Sequence, residues 1–237
     1  DPLSSFLAPV FGLAAAGQDP GFYMSWLAAF AYALQVYFDF SGYTDMAIVS
    51  ARLFGIRLPE NFRSPYKASS IIEFWRRWHM TLSRFLRDYL YFSLGGNRHG
   101  SARRYRNLFI TMLLGGLWHG AAWTYVIWGG LHGLYLCVNH AWRAICGKLG
   151  LEKFRESPLL TPVYIFITSL AWSLAFVIFR AADVQSALAI VTPGFTQFSM
   201  RSTPTLQHTI SESFLGQCFA AMGVGAGGYL PVYTLLA

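Results

Sequence analysis

The sequence predicts an all-α, polytopic membrane protein. Three observations carry that prediction: a shortage of charge, long uncharged runs, and helical spacing in the basic segment between them. Of the 237 residues 54% are hydrophobic, only 12% are charged and 17% are aromatic, with 8 Trp and 20 Phe. Ordinary soluble domains carry roughly a quarter charged residues, and abundant Trp and Tyr suit the two edges of a bilayer. The chain opens on Asp1 and closes on GYLPVYTLLA, inside an apolar stretch. Both ends read as cut, so residues 1–237 are expected to be a fragment of one longer membrane domain.

The net charge of +7 is unevenly placed. Of 18 Lys and Arg, 12 fall between Arg52 and Arg106, against three acids, Glu60, Glu73 and Asp88. In a soluble chain such a segment would point to nucleic acid. Flanked by apolar runs, rich in Trp and Phe and without a recognition module, it reads instead as a cytoplasmic membrane surface facing anionic lipid. The three cysteines (Cys137, Cys146, Cys218) have no CxxC spacing and read as small buried hydrophobes.

In chain order, residues 22–38 (FYMSWLAAFAYALQVYF) hold 17 positions without charge, near the minimum for a membrane-spanning helix. The run continues into polar sequence bearing Asp39 and Asp45. Six residues apart, these two point to different helix faces, which argues against a paired-carboxylate site and for capping, arginine pairing or orienting a catalytic group. Pro59, Asn61 and Pro65 then predict a basic loop. Over residues 69–92, Ile71, Trp75, Trp78, Leu82, Phe85 and Tyr89 recur at steps of four and three, with Glu73, Arg77, Arg84 and Asp88 opposite. That pattern predicts one amphipathic helix lying at a membrane interface, capped by Ser69 or Ser70. His79 breaks the sorting by falling on the neighbouring apolar stripe with Trp75 and Leu86. Residues 93–107 read as a Gly-rich basic turn; GGNRHG lacks any P-loop or GxGxxG pattern.

Residues 108–142 are the most informative stretch. Their 35 residues would make an uninterrupted helix of ~52 Å, against a hydrocarbon core of about 30 Å. Arginines stand before and after the run (Arg103, Arg104, Arg106; Arg143), which favours two cytoplasmic ends. A re-entrant pair of half-helices fits, with break points at Gly115-Gly116, Gly120 and Gly129-Gly130. Broken backbone at membrane depth survives only where it is buried in protein or lines a cavity. His119, in LLGGLWHGAAW, falls near the break. A polar group there costs several kcal/mol without a partner, so the imidazole serves either a structural hydrogen bond or a reaction, for which it could accept a hydroxyl proton. Residues 158–179 form another spanning helix closed by Arg180, residues 181–210 read as loop, and residues 213–237 as a glycine-rich apolar segment.

Among the remaining histidines, His132 and His140 read as structural or interfacial, and His99 and His208 as loop residues. Taken alone, His79 reads as a snorkelling side chain at headgroup level before it reads as a site residue. No HExxH, paired Cys or close His/carboxylate cluster supports a metal, and no GxSxG supports a serine hydrolase.

Taken together, FDFSGYTDMAI, RLPENFRSPY, IIEFWRRWHMTLSRFLRDYLYFSLGGNR and RYRNLFITMLLGGLWHGAAWTYVIWGGLHG resemble the membrane-bound O-acyltransferase family, and within it the bacterial branch typified by the alginate O-acetyltransferase membrane subunit. The resemblance is dense over residues 35–142 and rests on WRRWH together with LLGGLWHG. It implies a helical bundle enclosing a tunnel, completed by amino-terminal helices missing here, in the bacterial inner membrane. It implies His119 as the catalytic histidine and His79 as the second signature position, with Arg76 and Arg77 as candidates for meeting the donor. The implied donor is acetyl-CoA or an acyl-carrier protein, without a metal. The implied acceptor is an exported polysaccharide such as alginate, reached through an extracytoplasmic acetyltransferase partner. Alternatives are a teichoic-acid D-alanylation subunit, or a transporter or noncatalytic component of polysaccharide export.

Overall fold

The computed structural model describes residues 2–193, and every regular element among them is helical. The chain divides into two compact units, one drawn from residues up to Val36 and from Phe176 onward, the other from Tyr37–Ala175. The boundaries fall inside two helices, α2 (Phe22–Leu53) and α8 (Thr161–Arg180).

In the first unit, α1 (Pro2–Ala15) buries Phe6, Leu7, Val10 and Phe11. The Phe11 ring meets Tyr32 of α2 edge to face at 6.1 Å, and Tyr32 meets Phe176 at 6.3 Å. Arg180 closes the cluster, its guanidinium 5.3 Å from the Phe11 ring centre. Such a cation over an aromatic face is worth roughly 0.5–1 kcal/mol when exposed and more when desolvated. Residues 181–193 depart from the predicted loop: α9 (Val184–Val191) forms there and packs on α1. Its signal was present in the sequence. Asp183 accepts hydrogen bonds from the Ser186 N–H (2.7 Å) and hydroxyl (2.9 Å), an N-cap that precedes an apolar run.

The second unit carries the histidines. The stretch expected to be one interfacial helix is broken into α3 (Ile71–Arg77), α4 (Met80–Phe85) and a π-helical turn over Leu86–Tyr91. Trp78 is extended and His79 adopts the left-handed conformation, φ 42° and ψ 56°. The 3.6-residue register that aligned Glu73 and Arg77 with Arg84 and Asp88 is therefore lost at residue 78. Glu73 still pairs with Arg77 at 2.6 Å, whereas Asp88 turns to its neighbour Arg87. Ser70 is the N-cap of α3, accepting from the Glu73 N–H, while Glu73 reaches back to the N–H and hydroxyl of Ser69 at 2.8 and 3.0 Å. Burial alone would raise the Glu73 carboxyl; the Ser69 bonds and the Arg77 charge outweigh it and hold the group below its usual range.

Residues 108–142 break as expected, between α5 (Gly100–Trp118) and α6 (Trp123–Lys148), which fold back on each other as an antiparallel hairpin. The break sits at Gly120, whose φ of 154° few side-chain-bearing residues adopt. The two glycine pairs are not break points. Gly116 and Gly129 lie within the helices where the backbones touch: a Cβ on Gly116 would stand 2.2 Å from the Tyr125 carbonyl oxygen, and one on Gly129 2.4 Å from that of Met112. Gly133, four residues on, meets Phe109 in the same way. Small residues at this spacing let helices approach in a membrane, where apolar burial supplies little drive.

The basic turn before α5 is shorter than expected, since the helix begins at Gly100. Fully buried Asn107 ties it down, its amide donating to the Leu94 and Gly96 carbonyls at 2.9 Å each. Among the described residues one helical stretch, Pro158–Arg180, is long and apolar enough to cross a membrane, with a mean hydropathy of 2.0. The apolar run at 22–38 forms the first half of α2, which continues through the polar residues to Leu53. Asp39 and Asp45 are exposed on α2, and neither joins an ion pair among the described residues. Residue 208 and the apolar segment after 213 lie outside the described residues, as does Cys218; Cys146 is buried and Cys137 half-buried, both as free thiols.

Candidate functional site

His119 ends α5, its N–H bonded to the Gly116 carbonyl at 3.0 Å, so the hairpin break itself fixes its backbone. The ring is half-buried among aromatic groups: Trp118 at 4.9 Å, Trp128 at 5.3 Å and 87°, and Tyr125 at 6.2 Å. Gly120 is required here a second time, because a Cβ would come within 2.8 Å of the Tyr125 ring.

His79 is brought in by the break between α3 and α4. Its left-handed backbone is uncommon for a residue with a Cβ and costs roughly 1–2 kcal/mol. Asn61 supplies the compensation. Its backbone carbonyl accepts from the Met80 N–H (2.9 Å), and its side-chain oxygen from the Thr81 N–H (3.1 Å) and hydroxyl (2.9 Å). The Asn61 amide in turn reaches Thr44 on α2 at 3.4 Å, and the Arg63 N–H donates to the Arg77 carbonyl. The imidazole lies between the Phe40 and Phe62 rings, at 5.6 and 6.1 Å, with the Thr81 hydroxyl 3.4 Å from Nδ1.

The two histidines are within electrostatic reach of each other. Burial first, and then the His119 ring, hold the His79 imidazole below its ordinary pKa, which keeps it neutral near pH 7. The two imidazoles, 40 residues apart in sequence and delivered by separate breaks, each offer a proton-accepting nitrogen when unprotonated, in an aromatic surround.

Beneath them lies a third histidine. His132, on α6, is 1% exposed and accepts a hydrogen bond from the Trp75 indole N–H at Nδ1, 3.2 Å. An indole only donates, so the His132 proton sits on Nε2. Trp128 stands between His132 (4.7 Å) and His119 (5.3 Å), and Phe74 stacks on His132 at 6.2 Å and 8°. The structural expectation for His132 holds in that its ring is core, locking α3 onto α6 below His119. No local pattern marks Asn61 as the clamp on His79. It reads there as one polar residue in a proline-bounded loop.

Arg76 is exposed, while Arg77 is committed to Glu73. Among the described residues no group of three His, Cys, Asp or Glu is placed to hold a metal.

Among the described residues the fold is all-helical, with one helix long and apolar enough to cross a membrane and with His79 and His119 set at helix breaks within electrostatic reach of each other. Comparison with known proteins sharpens this. The model of MBOAT, the membrane-bound O-acyltransferase family, matches residues 19–179, and the chain belongs to that family. The chain is 52% identical over 170 residues to the probable alginate O-acetylase AlgI of Pseudomonas aeruginosa, covering 72% of this chain and 31% of that protein. It is 48% identical over 171 residues to the peptidoglycan O-acetyltransferase of Helicobacter pylori, covering 72% and 31%. Against the teichoic acid D-alanyltransferase of Streptococcus thermophilus it is 33% identical over 166 residues, covering 63% and 40%. The chain spans about a third of the length of these curated relatives.

Proposed function

We propose that the chain is the histidine-bearing part of a multi-pass O-acyltransferase of the bacterial inner membrane. The enzyme moves an acetyl group from a cytoplasmic thioester, acetyl-CoA or an acyl-carrier protein, to a hydroxyl, for O-acetylation of an exported polysaccharide such as alginate. The observation that carries the reading is the convergence of His79 and His119 from separate helix breaks. Family membership and the names of the relatives support the reaction class.

In this reading a ring nitrogen of His119 takes the proton from the acceptor hydroxyl as the oxygen attacks the thioester carbonyl. The tetrahedral intermediate collapses by breaking the carbon–sulfur bond, and the proton passes from His119 to the departing sulfur, which leaves the imidazole neutral again. The products are an ester and a free thiol. His79, neutral and beside it, donates to the carbonyl oxygen or positions the acceptor. The donor approaches the basic face bearing Arg76; Arg77 contributes little, being paired with Glu73. Helices outside this chain complete a tunnel across the membrane, and an extracytoplasmic acetyltransferase partner passes the acyl group to the polymer. Likeness to a D-alanyltransferase favours one second reading, in which the same histidines transfer D-alanine from a carrier protein.

The test uses the full-length protein in cells or proteoliposomes, measuring ester-linked acetate on exported polymer at matched membrane abundance. Removing a general base costs typically 10²–10⁴-fold, so His119→Ala is expected to lower acetylation by at least about 100-fold. Normal acetylation in His119→Ala overturns the general-base role.

A further inference from the structure

At the open end of the hairpin, away from His119, polar groups gather of which the proposed acyl transfer uses only Arg76, at the donor-facing edge. Cys137 Sγ lies 3.4 Å from the Tyr105 carbonyl, and Gly133 abuts Phe109. The next turn of this antiparallel pair therefore sets Arg104 beside Asn139 and His140. Two polar atoms there are buried without a hydrogen-bond partner among the described residues: Arg104 Nε and Asn139 Oδ1. Arg104 Nη2 donates to the Tyr105 hydroxyl at 3.3 Å, and the guanidinium lies over that ring at 5.0 Å, so Nε is left facing inward. Arg104, Arg143 and Arg76 all stand close enough to the His140 ring for their charges to act on it. None of the three has a carboxylate partner among the described residues.

A buried donor without an acceptor costs free energy, and no carboxylate among the described residues offsets the three guanidinium charges. One bound oxyanion relieves both, since the planar fork of arginine matches phosphate oxygens. We propose that Arg104, Arg143, Arg76 and Asn139 form a binding site for a phosphoryl group, occupied by the headgroup of an anionic phospholipid. The buried Asn139 carbonyl would accept from a hydroxyl of the headgroup. The surface leading away from the cluster fits acyl chains. Leu134, Val138 and Trp142 follow one another at four-residue steps on α6 and are 49%, 59% and 40% exposed. Basic pockets between membrane helices at the cytoplasmic face are where anionic headgroups bind. The site lies about 25 Å along α6 from the hairpin tip; it rests on the hairpin being membrane-embedded and not on acyl transfer.

Native mass spectrometry of the full-length protein tests this, with phosphatidylglycerol, phosphatidylethanolamine or inorganic phosphate added in separate arms. Each charge at an anionic lipid surface is worth about five-fold in binding. Arg143→Gln and Arg104→Gln are each expected to lower phosphatidylglycerol occupancy by about that factor, leaving phosphatidylethanolamine unchanged. Arg104→Lys, which keeps the buried charge, is expected to retain most of the lipid. Equal phosphatidylglycerol occupancy in wild type and in Arg143→Gln, a change to an exposed side chain, overturns the site. If inorganic phosphate binds with the same arginine dependence while phosphatidylglycerol is indifferent to it, the site takes a soluble phosphate and the lipid assignment falls.

Discussion

Asn61 gathers more hydrogen bonds to the His79 turn than any other side chain described above: its carbonyl and side-chain oxygen hold Met80 and Thr81 across the break. It touches His79 only through the backbone that follows, so it is a positioning residue. Asn61→Ala removes the side-chain bonds and leaves the Thr81 N–H without its acceptor, at roughly 1–3 kcal/mol. Acetylation by Asn61→Ala is expected to fall by at least about 10-fold, while Asn61→Asp, which keeps the accepting oxygen, recovers a large part of it. Equal losses in both variants, at equal membrane abundance, would mean that the bond to Thr81 is not what matters. Of the candidate residues, His119 was legible because length and charge forced a break near it. His79 was legible as an anomaly on an apolar stripe, but its setting was not. Nothing local to Trp78 and His79, neither Gly nor Pro, announces that the helix stops there; contacts with Asn61, distant in sequence, impose it.

The helix hairpin is set by where backbones meet. Within a helix, replacing Gly by Ala normally gains about 1 kcal/mol in propensity. At Gly129 the added methyl would stand 2.4 Å from the Met112 carbonyl oxygen, which is backbone and cannot swing aside. Overpacking of this kind costs typically 1–3 kcal/mol or more, so the clash wins. Gly129→Ala is expected to lower the midpoint of thermal unfolding of the purified protein, whereas Gly42→Ala, with no atom within 4 Å of the new methyl, raises it or leaves it unchanged. A Gly129→Ala protein as stable as wild type would mean that α5 and α6 are not packed this closely. Glycine composition showed that the segment is interrupted. It could not say which glycines bend the chain and which receive a neighbour, because only the partner helix decides that. The cap at Asp183 was readable, yet the polar residues around it masked the short α9 that it starts.

For the molecule as a whole, antiparallel packing of α5 and α6 places both hairpin ends on one side, and the arginines crowded before and after it lead us to propose that this side is cytoplasmic. In otherwise cysteine-free, full-length protein, Ala102→Cys and Lys148→Cys are expected to react with an impermeant maleimide only when the cytoplasmic face is exposed. Labelling of the two from opposite faces would refute a hairpin that enters and leaves together. Among the described residues the all-helical architecture was legible from composition and periodicity, and the apolar helix ending at Arg180 from its length against bilayer thickness. The division of the chain inside α2 and α8 was not, since each is a continuous helix whose sequence carries no linker signal.

The left-handed backbone at His79 also decides how that residue can be interrogated. Alanine is a poor occupant of positive φ, so His79→Ala confounds loss of the imidazole with a reluctant turn. Asparagine visits this region far more readily, and it keeps a polar side chain of similar reach. A protein carrying Asn there separates chemistry from scaffold: intact folding with silent acyl transfer assigns the loss to the ring alone. Any comparison of histidine replacements at residues 79 and 119 made with alanine alone therefore sets unlike perturbations side by side, since His119 sits in ordinary right-handed backbone at φ −71°.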